Sequence, residues 1–164
     1  MKTILESFRG YIHEADFSEY TQGGSITLYH YMRKPRFGEE VEDTVVIDPK
    51  YFADPKTRSY YSRQEYEVSS VPRTFWYVDP KQRERQIAQG STLYVAKISA
   101  SKIYDLRSDP EGYREAVAHP VYGLRKGVEW NTLLEKIRED YEGVFYGGRF
   151  DVVSLFAPYS ASRV

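Results

Sequence analysis

The sequence predicts an α+β domain with antiparallel sheets, and three observations carry that prediction. Short β-prone runs and helical periodicities follow one another in the order helix, strand, long loop, strand, helix, strands, helices, hairpin. The run Thr92 to Ser99 alternates cleanly, as a half-buried central strand does, with Leu93, Val95 and Lys97 on one side and Tyr94, Ala96 and Ile98 on the other. Trp130, Leu133, Leu134, Ile137 and Tyr141 recur at helical spacing and leave Glu135, Arg138 and Glu139 on the wet side. At 164 residues the chain suits one domain with one proper core.

Thr3 to about Ala15 reads as an amphipathic helix, because Ile4, Phe8, Tyr11 and Ile12 keep helical spacing and Thr3 with Glu6 forms a capping box. Gln22-Gly23-Gly24-Ser25 breaks that pattern, and Ile26 to Met32 follows as a strand. Alternation puts Leu28, His30 and Met32 on one face and Tyr29 and Tyr31 on the other, so His30 is either a core residue or a cleft wall. Lys34 to about Val71 reads mostly as loop, punctuated by Pro35, Pro49 and Pro55. Inside it Val45 to Ile47 suits a short strand and Arg58 to Glu67 one or two helical turns. Arg58, Arg63 and Arg73 interleave there with Tyr60, Tyr61 and Tyr66, a mixture that serves phosphate and ring contacts or simply a solvated surface.

Thr74 to Val78 is a strongly β-prone run. Asp79-Pro80 then supplies an N-cap and a first-turn proline for a helix to about Gln89, which Gly90 stops. Ile103 to Leu106 continues in the sheet, and Asp109-Pro110 opens a further helix that carries Tyr113 and Val117 and ends before Pro120. The amphipathic helix spans about Glu129 to Tyr141. Gly143 to Tyr146 and Asp151 to Phe156 form a hairpin across Gly147-Gly148-Arg149-Phe150, and the tail after Pro158 is frayed or an edge.

Composition excludes several classes. Lys and Arg total 23 against 24 for Asp and Glu, so no global field draws in nucleic acid or an anionic membrane. There is no cysteine, which excludes disulfides and thiolate metal sites. The N-terminus lacks the layout of a signal peptide and no apolar run approaches the roughly 18 residues needed to span a bilayer, so a soluble, cytoplasmic protein is expected. His13, His30 and His119 lack the paired spacing of a zinc site. Ser25, Ser62 and Ser154 lack a nucleophile elbow, and Gly147-Gly148 lacks the length and lysine of a phosphate loop. The 16 tyrosines serve either as strand and core-rim residues or as an aromatic cleft for a nucleotide.

The ordered set of a Leu28-Tyr29-His30 strand, an aromatic strand Thr74-Phe75-Trp76-Tyr77-Val78, the run Leu93-Tyr94-Val95-Ala96-Lys97 and a closing hairpin strand Asp151 to Phe156 resembles the ADP-ribosyltransferase fold. It is most similar to the H-Y-E type, and to variants in phage-encoded polyvalent and toxin-like proteins. The resemblance covers about residues 26 to 158 and implies two small packed antiparallel sheets flanked by helices, with NAD bound in a cleft between them. It implies transfer of ADP-ribose to a macromolecular acceptor, protein or nucleic acid, in the cytoplasm, which is the host cytoplasm for a phage-encoded chain. His30 then matches the histidine on the nicotinamide-side ribose, Tyr77 or Tyr61 the stacking tyrosine, and Tyr31 joins the pocket. Arg33 and Arg73 are candidates to pair with the NAD phosphates, with surface salt bridges as the default for either. Where the family has a glutamate this chain has Asp151, one methylene shorter, and Glu142 is the nearest glutamate. The departure leaves three outcomes: an active site using Asp151, one reorganised around Glu142, or an inactive interaction or inhibitor module. A fourth reading keeps the pocket for nucleotide binding or NAD hydrolysis without an acceptor.

Overall fold

A computed structural model of the chain describes residues 17–33, 35–52, 67–79, 90–146 and 151–164. Nine strands form one mixed sheet: β1 (Thr21–Gln22), β2 (Ser25–Met32), β3 (Thr44–Ile47), β4 (Thr74–Tyr77), β5 (Thr92–Ser99), β6 (Ile103–Asp105), β7 (Gly143–Tyr146), β8 (Val152–Leu155) and β9 (Tyr159–Arg163). Their order across the sheet is β3-β9-β5-β2-β4-β8-β7-β6, with β1 folded back on β2. Two α-helices lie wholly within the described residues, α1 (Tyr113–Val117) and α2 (Glu129–Asp140), and among those residues no helix is long and apolar enough to cross a membrane. The expected helices at 3–15 and 79–89 and the turns at 58–67 fall wholly or largely outside the described residues.

The sheet is an α+β arrangement as expected, but its two halves are continuous. β2 pairs with β5 along its whole length, from Ser25↔Ser99 to Met32↔Thr92, and meets β4 through the single pair Tyr29↔Tyr77. That one bridge joins β3-β9-β5-β2 to β4-β8-β7-β6. The chain itself shows that the halves are not coplanar. Between β8 and β9 lie only residues 156–158, yet β4, β2 and β5 separate those strands in the sheet. Four strand spacings come to about 19 Å, whereas four Cα steps reach at most about 15 Å. The sheet therefore curls, and one face becomes an interior.

That interior is apolar from edge to edge. Ile26, Leu28, Trp76, Phe145, Val153 and Leu155 are fully buried in it, with Ile47, Tyr94, Ala96, Ile98, Ile103 and Ala161 beside them. The outer face of the β6-β7 half is closed by α2, which packs Leu133, Leu134 and Ile137 against Tyr104, Leu106 and Val144. The helix begins where the periodicity starts, and its N-terminal Glu129 is held by the Arg125 fork at 2.5 to 3.0 Å. Between the two, Phe52, Phe75, Tyr77 and Val152 form a third cluster on the outer face.

Several elements depart from expectation for local reasons. The break at Gly23-Gly24 is a two-residue hairpin turn, since both glycines have positive φ (+58° and +78°) and Gln22 pairs with Ser25. β6 runs parallel to β7, because the chain returns to it through both helices, so the sheet is mixed rather than antiparallel. The helix signalled by Asp109-Pro110 starts only at Tyr113. Asp109 sits at φ 47° and its carboxylate caps the amides of Arg114 and Glu115. The tail after Pro158 is an inserted strand, β9, paired with β3 on one side and β5 on the other. Its composition hid it: of the residues on the inward side, Tyr159, Ala161 and Arg163, only the first two join the core.

Gly143, at the start of β7, marks the tightest approach in the sheet. A Cβ there would lie 2.7 Å from the Ser154 carbonyl oxygen, 2.7 Å from Leu155 Cδ2 and 2.8 Å from Ile103 Cδ1. A backbone carbonyl in a ladder cannot step aside. Gly143→Ala is expected to destabilise the fold by about 1–3 kcal/mol, read as a lower urea midpoint; an unchanged midpoint would show that the contact is looser than described.

Candidate functional site

The register of β2 decides which residues can meet. Tyr29 is opposite both Tyr77 and Val95, so Tyr29 and Tyr31 point to the outer face and Leu28 and His30 to the interior, as alternation predicted. His30 lies half-buried beside Trp76, with ring centroids 5.1 Å apart. Its Nδ1 is 2.8 Å from the Phe75 carbonyl oxygen. A carbonyl only accepts, so Nδ1 carries the proton. Burial lowers the pKa of the ring, against the opposing pull of that hydrogen bond. The imidazole is therefore neutral, and Nε2 is left as a lone-pair acceptor.

Asp151 stands on the same side of the sheet. Val152 pairs with Tyr77 on the outer face, which turns the preceding residue toward the interior. One carboxylate oxygen accepts the Tyr20 hydroxyl at 2.5 Å, and the other lies 3.5 Å from Arg107 Nη1. Arg107 is nearly enclosed. Its guanidinium lies 4.2 Å over the Phe145 ring, and its amide donates to Asp105 Oδ1 at 3.0 Å. Phe17, in the short 3-10 helix Phe17–Tyr20, packs on Phe145 with ring centroids 5.0 Å apart, so that segment covers the cluster. Burial first, then the bond to Asp151, pushes the Tyr20 phenol well above its usual range, so it remains a donor. Along the sheet, two strand spacings and two residues separate His30 from Asp151, about 12 Å between Cα atoms. Trp76, fully buried, stands between them.

The other candidates lie elsewhere. Tyr77 is buried on the outer face, edge-on to Tyr31 at 5.9 Å, and so has the sheet between itself and His30. Arg73 is 2% exposed below the same cluster. Its Nη1 donates to the carbonyls of Ser69 and Val71 at 3.0 and 2.9 Å, and its guanidinium stacks on Phe52 and Phe75. Arg33 forks onto Glu39 at 3.0 and 3.1 Å on an exposed loop. Glu142 accepts the Tyr159 hydroxyl and faces Lys102 at 3.4 Å, while its own backbone bonds to Lys102 and Phe156. It ties the 156–158 link to the start of β7. Tyr61 lies outside the described residues. The expected set is thus divided, with His30 and Asp151 on the interior face and Tyr31, Tyr77 and Arg73 on the outer one.

Sequence reasoning missed Tyr20, Trp76 and Arg107. Nothing local to Tyr20 or Arg107 marks them, since each reaches Asp151 across a long stretch of chain. The tyrosine content now has a physical use. Tyr20, Tyr104, Tyr113, Tyr141 and Tyr159 each donate a phenol to a carboxylate, of Asp151, Asp109, Asp140, Glu111 and Glu142 respectively. These are core-rim residues with an apolar ring inside and a polar tip on an acid. Among the described residues no group of three or more His, Asp or Glu side chains converges on a point suited to a metal ion.

Comparison with known proteins returns no matching family model, no similar curated protein and no similar solved structure. The geometry of the chain itself therefore carries the functional argument.

His30 gives a pH signature. Its folded-state pKa is lowered from the usual 6.5, so below that pH the unfolded chain takes up the proton first and stability falls. Above it both states are neutral and His30 has no effect. The unfolding free energy of the wild type from urea melts is expected to drop between pH 7 and pH 5 more steeply than that of His30→Gln, by up to about 1.4 kcal/mol per pH unit; parallel profiles would remove the assignment.

Proposed function

We propose that this chain is an ADP-ribosyltransferase-like domain that takes NAD as substrate and moves ADP-ribose to a macromolecular acceptor. The reading rests on one observation: a neutral histidine with a free acceptor nitrogen and a buried-side carboxylate share one face of a curled sheet. The motif order His30, Tyr77, Asp151 in the sequence adds to it.

The residues present suit the nicotinamide ribose better than the pyrophosphate. His30 Nε2 accepts from a sugar hydroxyl, held in that role because its Nδ1 proton is committed to Phe75. NAD when bound supplies the labile glycosidic carbon and a neutral leaving ring. Asp151 stabilises the positive charge that develops on the ribose as that bond breaks, and receives the proton of the attacking acceptor. Tyr20 and Arg107 fix the direction of its two oxygens, which favours a preformed carboxylate. In this reading Tyr20 is the aromatic surface near the reacting ring, Trp76 backs His30 from within the core, and Tyr77 supports β4 from the other face. Arg33 and Arg73 are engaged with Glu39 and with backbone carbonyls, so the pyrophosphate contact falls to other groups.

A second reading is favoured by the same cluster. Both oxygens of Asp151 have partners and its reach is one methylene short of a glutamate, which suits a module that keeps the fold and binds without turnover. The discriminating experiment is calorimetric titration with NAD alongside an assay of released nicotinamide, with and without an acceptor extract. Saturable binding is expected, weakened about tenfold or more by His30→Ala. Asp151→Asn is expected to keep binding while slowing nicotinamide release about a hundredfold. Binding without release points to the inactive module, release without an acceptor to an NAD hydrolase, and absence of binding at millimolar NAD overturns the nucleotide reading.

A further inference from the structure

The segment that covers Asp151 is built differently from the sheet it lies on. Phe17 to Tyr20 form a single 3-10 turn in which no residue is fully buried. The Thr21 hydroxyl donates to the Ser18 carbonyl oxygen at 2.8 Å and joins that turn to β1, so the two make one piece. β1 is held to β2 by two residue pairs, Thr21↔Ile26 and Gln22↔Ser25. Gly23 and Gly24 close the hairpin at positive φ, with nothing within 4 Å of the place a Cβ would take on either. The Ala100 amide donates to the Gly24 carbonyl oxygen at 2.8 Å and fixes the far side of this pivot to the end of β5. A short piece with no fully buried residue in its turn, hung on two open glycines, belongs to the low end of local stability.

Its other end docks on the site. The Phe17 ring lies on Phe145 at 5.0 Å between centroids, and the Tyr20 ring meets the same Phe145 edge-on at 6.1 Å. The Tyr20 hydroxyl donates to one oxygen of Asp151, and the aspartate side chain is left 18% exposed. Arg107, which faces the other oxygen, does not belong to the piece: it follows β6 and is anchored there by its amide on Asp105. A hydroxyl on a carboxylate oxygen is a fastening that a ligand hydroxyl reproduces bond for bond.

We infer that Phe17 to Gln22 is a gate over Asp151, hinged at Gly23-Gly24, which is autoinhibitory when shut and lifts to admit a hydroxyl-bearing ligand of the sugar class. The incoming hydroxyl takes the place of the Tyr20 phenol at the carboxylate. Arg107 stays behind and keeps the second oxygen aimed, and the Tyr20 ring then settles against the bound sugar. That this sugar is the ribose of NAD rests on the reading above; the gate itself does not.

The test is chemical labelling of the full chain with a water-soluble carbodiimide and glycinamide, which marks accessible carboxyl groups. Tryptic cleavage then isolates Asp151 as the only acid between Phe150 and Arg163, and mass spectrometry follows its rate. In the parent, Asp151 is expected to label about tenfold more slowly than Asp43, whose side chain is 84% exposed. Phe17→Ala removes no bond to the carboxylate and Tyr20→Phe keeps the ring; each is expected to raise the Asp151 rate about tenfold. Glu129, 8% exposed and held by Arg125 at the start of α2, is expected to stay slow in both. Asp151 labelling as fast as Asp43 in the parent, a rate that Phe17→Ala leaves unchanged, or a parallel rise at Glu129 in both variants would overturn the inference. The reagents include no nucleotide, so the outcome is separate from that of the NAD titration: absence of NAD binding leaves the gate standing, and an unchanged labelling rate leaves the NAD reading standing.

Discussion

The short link between β8 and β9 governs the architecture. Three residues cannot cross three strands of a flat sheet, so the sheet has to curl, and curling turns one of its faces into a closed interior. The apolar continuity of that face, from Ile47 at one edge to Ile103 near the other, accords with this closure; among the described residues α2 packs on the opposite face. Glu142 and Tyr159 fasten the link on both sides. The single bridge Tyr29↔Tyr77 suffices between the halves because the link and the shared interior hold them as well.

Closure sets the terms for any polar group on that face. An interior donor or acceptor left without a partner costs about 1–3 kcal/mol, and the two residues of chemical interest there are both answered. His30 is answered by a backbone carbonyl and Asp151 by a phenol and a guanidinium. The partners differ in consequence. A carbonyl partner leaves the far nitrogen of the imidazole open as an acceptor, whereas two side-chain partners occupy the carboxylate from both sides. The histidine keeps one ring nitrogen as an acceptor, and the aspartate has both oxygens engaged.

Much of the local structure was legible in the sequence because it depends on neighbours in the chain. The helix from Glu129, the alternation of Thr92 to Ser99 and the inward side of His30 follow from periodicities of 3.6 and 2. What failed depends on pairings that periodicity does not encode. Tyr77 and His30 read as partners in one site, yet a register one residue different would have reversed their relation, and nothing within either strand fixes it. Nothing beside Arg107 in the sequence singles it out; its neighbours Phe145 and Asp151 come from distant strands. β9 has too few apolar residues to announce itself, and β6 takes its direction from the long return through α1 and α2.

β9 also carries a consequence for how the protein is made. β3 precedes it by more than a hundred residues and, among the described strands, pairs with no other. During synthesis β3 thus waits unpaired while every other strand partner is delivered, an exposed edge of Thr44 to Ile47 in search of a ladder. Long-range pairing of this kind is slow to form. A ribosome stall before β9, or a protease that clips it, would leave the early half of the sheet with an open flank, and quality control would meet that flank first.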